Sequence, residues 1–152
     1  MNLENKRTTN VELANYAQKY KLPVTILMNN EFTYPRNGYY ILNLENNGQG
    51  GSHWVALICE NKKCFYFDSF GAPPTQNVHL RLKQRYNKIY MNNSIIQDLK
   101  SNMCGWFCIG LLLHVFLHPK VELIKACDQF LNMFDDNTQR NNTILKNYLK
   151  SV

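Results

Sequence analysis

The apolar positions along the chain change their spacing several times, and each change marks an expected element. Thr9-Asn10-Val11-Glu12 has the form of a capping box, with Val11, Leu13, Ala14 and Ala17 following at helical spacing. A first helix is therefore expected from about Asn10 to Lys19, with Pro23 after its end. Residues 24–28 (VTILM) and 39–44 (YYILNL) are short runs rich in β-branched and aromatic residues with turn residues on each side, and they read as strands. The polar stretch 45–52 (ENNGQGGS) is a loop, after which HWVALICENKKCFYFDSFG reads as a hairpin, with strands near 53–59 and 64–68. Next, VHLRLKQRYN predicts a helix on which Arg81, Arg85 and Lys88 share a face, and KIYMN a short strand. From Cys104 the alternation gives way to a continuous apolar run stopped by Pro119, the pattern of a buried helix. VELIKACDQFLNMF is an amphipathic helix, and TILKNYL a last one near the C-terminus.

Composition narrows the class. The 152 residues suit one domain, spanning 1–152, with one hydrophobic core, and no repeat or low-complexity tract divides them. Only 18% of residues are charged, and the chain holds 9 Tyr, 8 Phe and 2 Trp, which argues against intrinsic disorder. The net charge of +6 permits an acidic partner without requiring one. Five cysteines form no paired framework and the N-terminus has no signal-peptide order, so a reducing compartment is expected. The run from Cys104 to Leu117 is well short of the roughly 20 residues that cross a bilayer, so no membrane partner is expected.

The candidate chemistry lies at two element boundaries. Cys104 sits where the polar QDLKSNM gives way to the apolar helix, so its sulfur is expected at a helix N-terminus, where unsatisfied N–H groups favour thiolate over thiol. Gly105 is expected to admit a substrate carbonyl close to the backbone, with N–H groups there stabilising an oxyanion. Taken alone, a cysteine on an apolar helix is more often a small buried hydrophobe. His53, however, heads a strand beside a glycine-rich loop, and Asp68 ends the strand that the hairpin brings next to it, in a position to orient an imidazole. Gln97, seven residues before Cys104, supplies an amide N–H for an oxyanion. Each residue has a plain alternative: a structural histidine, a turn aspartate, a solvated glutamine. The four together are harder to explain that way.

HWVAL, then YFDSFG, then Gln97 seven residues before CGWFC, resembles the adenain-like cysteine proteases. These are the adenovirus maturation protease and its relatives in virophages and Polinton or Maverick elements, with SUMO-type deconjugating proteases as distant kin. The resemblance covers about residues 38–116. It implies an α+β fold: a papain-like core in permuted order, with a central mixed sheet flanked by helices and the nucleophile at the N-terminus of a buried central helix. It further implies His53 as general base, Asp68 as orienting acid, Gln97 as oxyanion amide and Cys104 as nucleophile. Trp54 and Gly51 are expected to line a narrow substrate cleft, in keeping with that family's glycine-containing cleavage sites. The implied activity is viral maturation, with capsid or other structural polypeptides as substrates, in a monomer working in the virion, host cytoplasm or viral factory. No cysteine lies between Cys64 and Cys104, which tells against the adenovirus enzyme's disulfide-linked peptide activation. No cofactor is required, although DNA stimulates the adenovirus relative and is admitted here in that role.

The same residues admit other readings. A SUMO-type deconjugating protease is the alternative within the superfamily, disfavoured by the small size of the chain. A module of another class, inactive and binding nucleic acid or acting as a scaffold, would use Arg81, Lys83, Arg85 and Lys88 with Tyr86 and Tyr90. A metal site at His114 and His118 or at Cys104 and Cys108 is disfavoured, because the helix is apolar and has no zincin glutamate.

Overall fold

An apolar hairpin forms the middle of the molecule. In the computed structural model, which describes residues 7–45 and 53–152, strands β3 (Trp54–Glu60) and β4 (Lys63–Phe67) pair antiparallel. Their turn is Asn61-Lys62, both with positive φ (46° and 71°), the left-handed pair whose twist suits a tight hairpin. β2 (Gly38–Asn43) runs antiparallel to β3. The outer strands β1 (Val24–Met28) and β5 (Lys88–Met91) are parallel to their neighbours, which gives a mixed sheet in the order β1-β2-β3-β4-β5.

β3 is apolar at nearly every position because both of its faces are covered. Trp54, Ala56 and Ile58 join Phe65 and Phe67 on one face; Val55, Leu57 and Cys59 join Cys64 and Tyr66 on the other. Helices α1 (Asn10–Lys19), α3 (Cys104–Leu117), α4 (Leu123–Leu131) and α5 (Asn141–Ser151) contribute the core on the first face. The second face is closed by Val78 and Leu82 of α2 (Gln76–Lys83) and by Phe32. α1 begins with the capping box expected of Thr9 and Glu12.

α3 is the central helix, buried from Cys104 to Val115. Gly110 lets its neighbours close on it: a Cβ there would meet Phe130 and Leu145 at 3.0 Å. The paired histidines have structural partners. His114 contacts the Tyr148 hydroxyl through Nδ1 (3.0 Å) and Gln129 Oε1 through Nε2 (3.1 Å), and burial holds its pKa below the ordinary value. His118 Nδ1–H donates to the His114 carbonyl at 2.7 Å, serving a free carbonyl of the last turn.

Two expected helices are shorter than their patterns: α4 covers Leu123–Leu131 of VELIKACDQFLNMF, and α2 stops before Arg85. α2 ends at Lys83; Tyr86 N–H and Arg85 N–H turn back to the Leu82 carbonyl (2.8 and 3.1 Å), and Tyr86 is buried against the second face. Asn87 and Lys88 N–H then donate to the Lys62 carbonyl (2.8 and 3.3 Å), which draws the chain into the sheet as β5. Sheet pairing thus overrides helical spacing, and Arg81, Arg85 and Lys88 share no helix face. The Arg81 and Arg85 guanidiniums instead donate to the Thr33 and Pro35 carbonyls (3.3 and 3.0 Å), bracing the segment between β1 and β2.

Candidate active site

The hairpin and α3 bring three of the four candidate side chains to one point. His53 immediately precedes β3 and Asp68 immediately follows β4, so antiparallel pairing sets them side by side, with His53 Nε2–H donating to Asp68 Oδ1 at 2.9 Å. Cys104 is the first residue of α3, and its sulfur accepts the Trp54 backbone N–H at 3.4 Å. His53 and Cys104 thus meet through adjacent residues of the same strand start. With Nε2 committed to Asp68, Nδ1 is the ring nitrogen left to exchange a proton with Cys104.

Asp68 is held from several sides. Its Oδ1 also accepts Phe70 N–H (2.8 Å), closing an Asx turn, and its carbonyl accepts Gly71 N–H (2.7 Å). Buried Asn92, just past β5, grips its backbone twice: Asn92 Oδ1 accepts Asp68 N–H (3.1 Å), and Asn92 Nδ2 donates to the Asp68 carbonyl (2.7 Å). The Phe70 ring stacks on the imidazole, with centroids 5.2 Å apart at 28°. A carboxylate 2% exposed and fixed in this way offers His53 one direction only.

The electrostatics follow. Burial by itself lowers the pKa of His53, but the hydrogen bonds to Asp68 and to Cys104, with the charges of both groups, outweigh it and push the value up to about 9. The imidazole is therefore protonated at neutral pH, a cation held between an acid and a sulfur.

Gln97 is buried, and both ends of its amide are engaged: Oε1 accepts the Ser69 hydroxyl, and Nε2 donates to the Ser101 carbonyl at 2.9 Å. Ser101 is three residues before Cys104, so the amide belongs to the segment that leads into α3. An amide nitrogen has a second N–H beyond the one given to Ser101. The first backbone N–H groups of α3 likewise have no intrahelical acceptor. The segment 96–101 is fastened from behind by Asn141, whose Nδ2 donates to the Ile96 carbonyl at 2.7 Å, and by Ser101 Oγ with Asn142 (2.9 Å).

Two expected substrate contacts have a different place. Trp54 is buried, with its Nε1–H donating to the Thr8 carbonyl at 3.0 Å, so its ring locks the segment before α1 rather than forming an open cleft wall. A Cβ on Gly105 would meet Trp54 Cδ1, Leu13 Cδ2 and Thr8 Cβ, each at 3.2 Å; its smallness admits these side chains, not a substrate carbonyl. Gly51 lies outside the described residues. Ser69 and Phe70 adjoin Asp68 in YFDSFG and carry that local signal in the sequence, whereas Asn92 and Asn141 carry none. Of the basic residues, Arg81 and Arg85 serve loop carbonyls, while Lys83 and Lys88 are exposed at the ends of α2 and β5. Among the described residues, no three His, Cys, Asp or Glu side chains are grouped to hold a metal, and no helix is long and apolar enough to cross a membrane.

The chain superposes on the ASFV pS273R protease crystal structure with a TM-score of 0.58 at 18% identity, covering 96% of this chain and 67% of that one. The fold is that of the ASFV protease. A second, selenomethionine structure of pS273R gives 0.49 at 16% identity, over 93% of this chain and 68% of that one. AvrA delL154 with IP6 and CoA gives 0.44 at 18% identity, over 86% of this chain and 52% of the other. No family model and no curated protein sequence matches the chain.

Proposed function

We propose that this protein is a cysteine endopeptidase in which Cys104 is the nucleophile, His53 the acid and base, Asp68 the orienting carboxylate and Gln97 an oxyanion donor. The observation that carries the reading is the His53–Asp68 contact of 2.9 Å beside a cysteine at the start of the central helix. A thiolate at Cys104 attacks the scissile carbonyl carbon. The negative charge gathers on the carbonyl oxygen, towards the Gln97 amide and the first N–H groups of α3. His53 Nδ1–H protonates the leaving amine, and the acyl group remains as a thioester. Water then gives a proton to the neutral imidazole, attacks the thioester and releases the acid, with Asp68 holding the ring in one orientation throughout.

For the substrate we favour viral structural polypeptides cut at glycine-containing sites. The likeness of nearly the whole chain to a viral protease supports this reading, as does the sequence resemblance around His53, Asp68 and Cys104. The test is a peptide library with capsid-precursor and ubiquitin-like fusion substrates, cut by the native protein and by Cys104→Ala. Cleavage after glycine that vanishes in the variant supports the reading. Cleavage that survives the substitution removes Cys104 from the mechanism, and exclusive cutting of the fusion moves the protein to the deconjugating branch.

A further inference from the structure

The dipeptide Asp68-Ser69 touches both halves of the proposed machinery. Asp68 orients His53, while the next side chain, fully buried Ser69, donates its hydroxyl to Gln97 Oε1. The Ser69 carbonyl also accepts the backbone N–H groups of Ile96 (2.9 Å) and Gln97 (3.1 Å), so one residue fixes both the main chain and the side chain of the glutamine. An amide looks nearly the same in either flip, and only its partners decide which end is nitrogen. Here a hydroxyl donor faces the oxygen and the Ser101 carbonyl, which can only accept, faces the nitrogen. Two anchors at opposite ends fix the plane as well as the flip; with the Ser101 anchor alone, the plane can swing about it.

We infer that Ser69 is a positioning residue for the oxyanion site: its hydroxyl sets the plane of the Gln97 amide, so that the N–H not given to Ser101 is aimed at the developing oxyanion. This rests on the reading of Gln97 as an oxyanion donor in a cysteine peptidase. Ser69→Ala removes only the side-chain anchor, since the Ser69 carbonyl and its two backbone bonds remain.

The experiment compares the native protein, Ser69→Ala, Gln97→Ala and the double variant on a cleaved peptide, together with the rate at which iodoacetamide alkylates Cys104 across pH. Alkylation builds no oxyanion, so it reports the thiol and imidazole alone. Gln97→Ala is expected to lower kcat by about 100-fold and Ser69→Ala by about tenfold, both with little change in KM. The alkylation profile should keep its shape in both, and Ser69→Ala should cost nothing further in the Gln97→Ala background. If Ser69→Ala does not fold, Ser69→Cys, close in size and a weak donor, should give an intermediate kcat. An unchanged kcat in the serine variants, additive losses in the double variant, or a parallel fall in alkylation overturns the inference. A native protein that is alkylated at Cys104 but cuts no peptide overturns the peptidase reading and this one with it. Peptide cleavage that is indifferent to Ser69 overturns this one alone.

Discussion

Replacing Asp68 by Asn keeps the size and the acceptor oxygen facing His53 but removes the charge, so it isolates the electrostatic part of the pair. His53 stands at about 9 against an ordinary 6.5. At about 1.36 kcal/mol per pH unit, that rise corresponds to about 3 kcal/mol of preference for the protonated ring in the folded protein. Because the folded chain holds this proton more tightly than the unfolded one, the stabilisation is complete below pH 6.5 and is lost as pH rises through about 9. Burial opposes the charge, and in Asp68→Asn only Cys104 remains to offset it, so the titration of His53 should fall back towards the ordinary value, by roughly two pH units. Two measurements check this. Imidazole NMR titration, with His53 assigned by its absence in His53→Ala, should show the downward shift. Denaturant unfolding between pH 6 and pH 8, below the range in which the unfolded chain's cysteines and tyrosines ionise, should show a fall in stability for the native protein that is smaller in Asp68→Asn. Turnover at pH 7 should drop by about 10–100-fold, since the ring loses the carboxylate that favours its protonated form. An unchanged His53 titration, or a stability that rises from pH 6.5 to 8, refutes the electrostatic reasoning.

Two further substitutions probe the scaffold behind the site. Gly71 has φ +76° and a Cβ there would lie 3.0 Å from the Ser94 carbonyl oxygen; Gly71→Ala should cost about 2–3 kcal/mol in unfolding free energy and lower turnover by disturbing the Asp68 turn. A Tm equal to that of the native protein would contradict this. Asn141 is fully buried and serves the Ile96 and Asp135 carbonyls (2.7 and 2.9 Å) and the Asp135 N–H (2.8 Å), so Asn141→Ala should cost about 3 kcal/mol and loosen the segment carrying Gln97. Hydrogen exchange at residues 96–101 should quicken, and unchanged protection there would show that α5 does not brace the oxyanion segment.

Local pattern located His53, Asp68 and Cys104 because each stands at the edge of an element whose periodicity is strong: a strand buried on both faces, its hairpin partner, and an apolar helix. What turned on distant contacts was not legible. Asn92 reaches Asp68 across 24 residues and Asn141 reaches Ile96 across 45, and neither spacing leaves a mark on the chain. Basic residues at helical spacing after Val78 suggested a longer α2, but pairing of Lys88–Met91 with β4 outcompeted it. Trp54 and Gly105 looked like cleft residues because they adjoin the candidate site; burial against Thr8 and Leu13, which come from far earlier in the chain, decides otherwise.

The central claim is that Cys104 is a nucleophile activated by His53. Its most direct test is intact-mass and peptide-map analysis after exposure to a peptide ending in a glycine-derived electrophile, with His53→Ala as control. All five cysteines are buried free thiols, so reactivity has to come from the site rather than from exposure. A single adduct on Cys104, formed at least tenfold more slowly in His53→Ala, is the expected result. An adduct on Cys59, Cys64, Cys108 or Cys127 instead, or equal labelling with and without His53, would contradict the account.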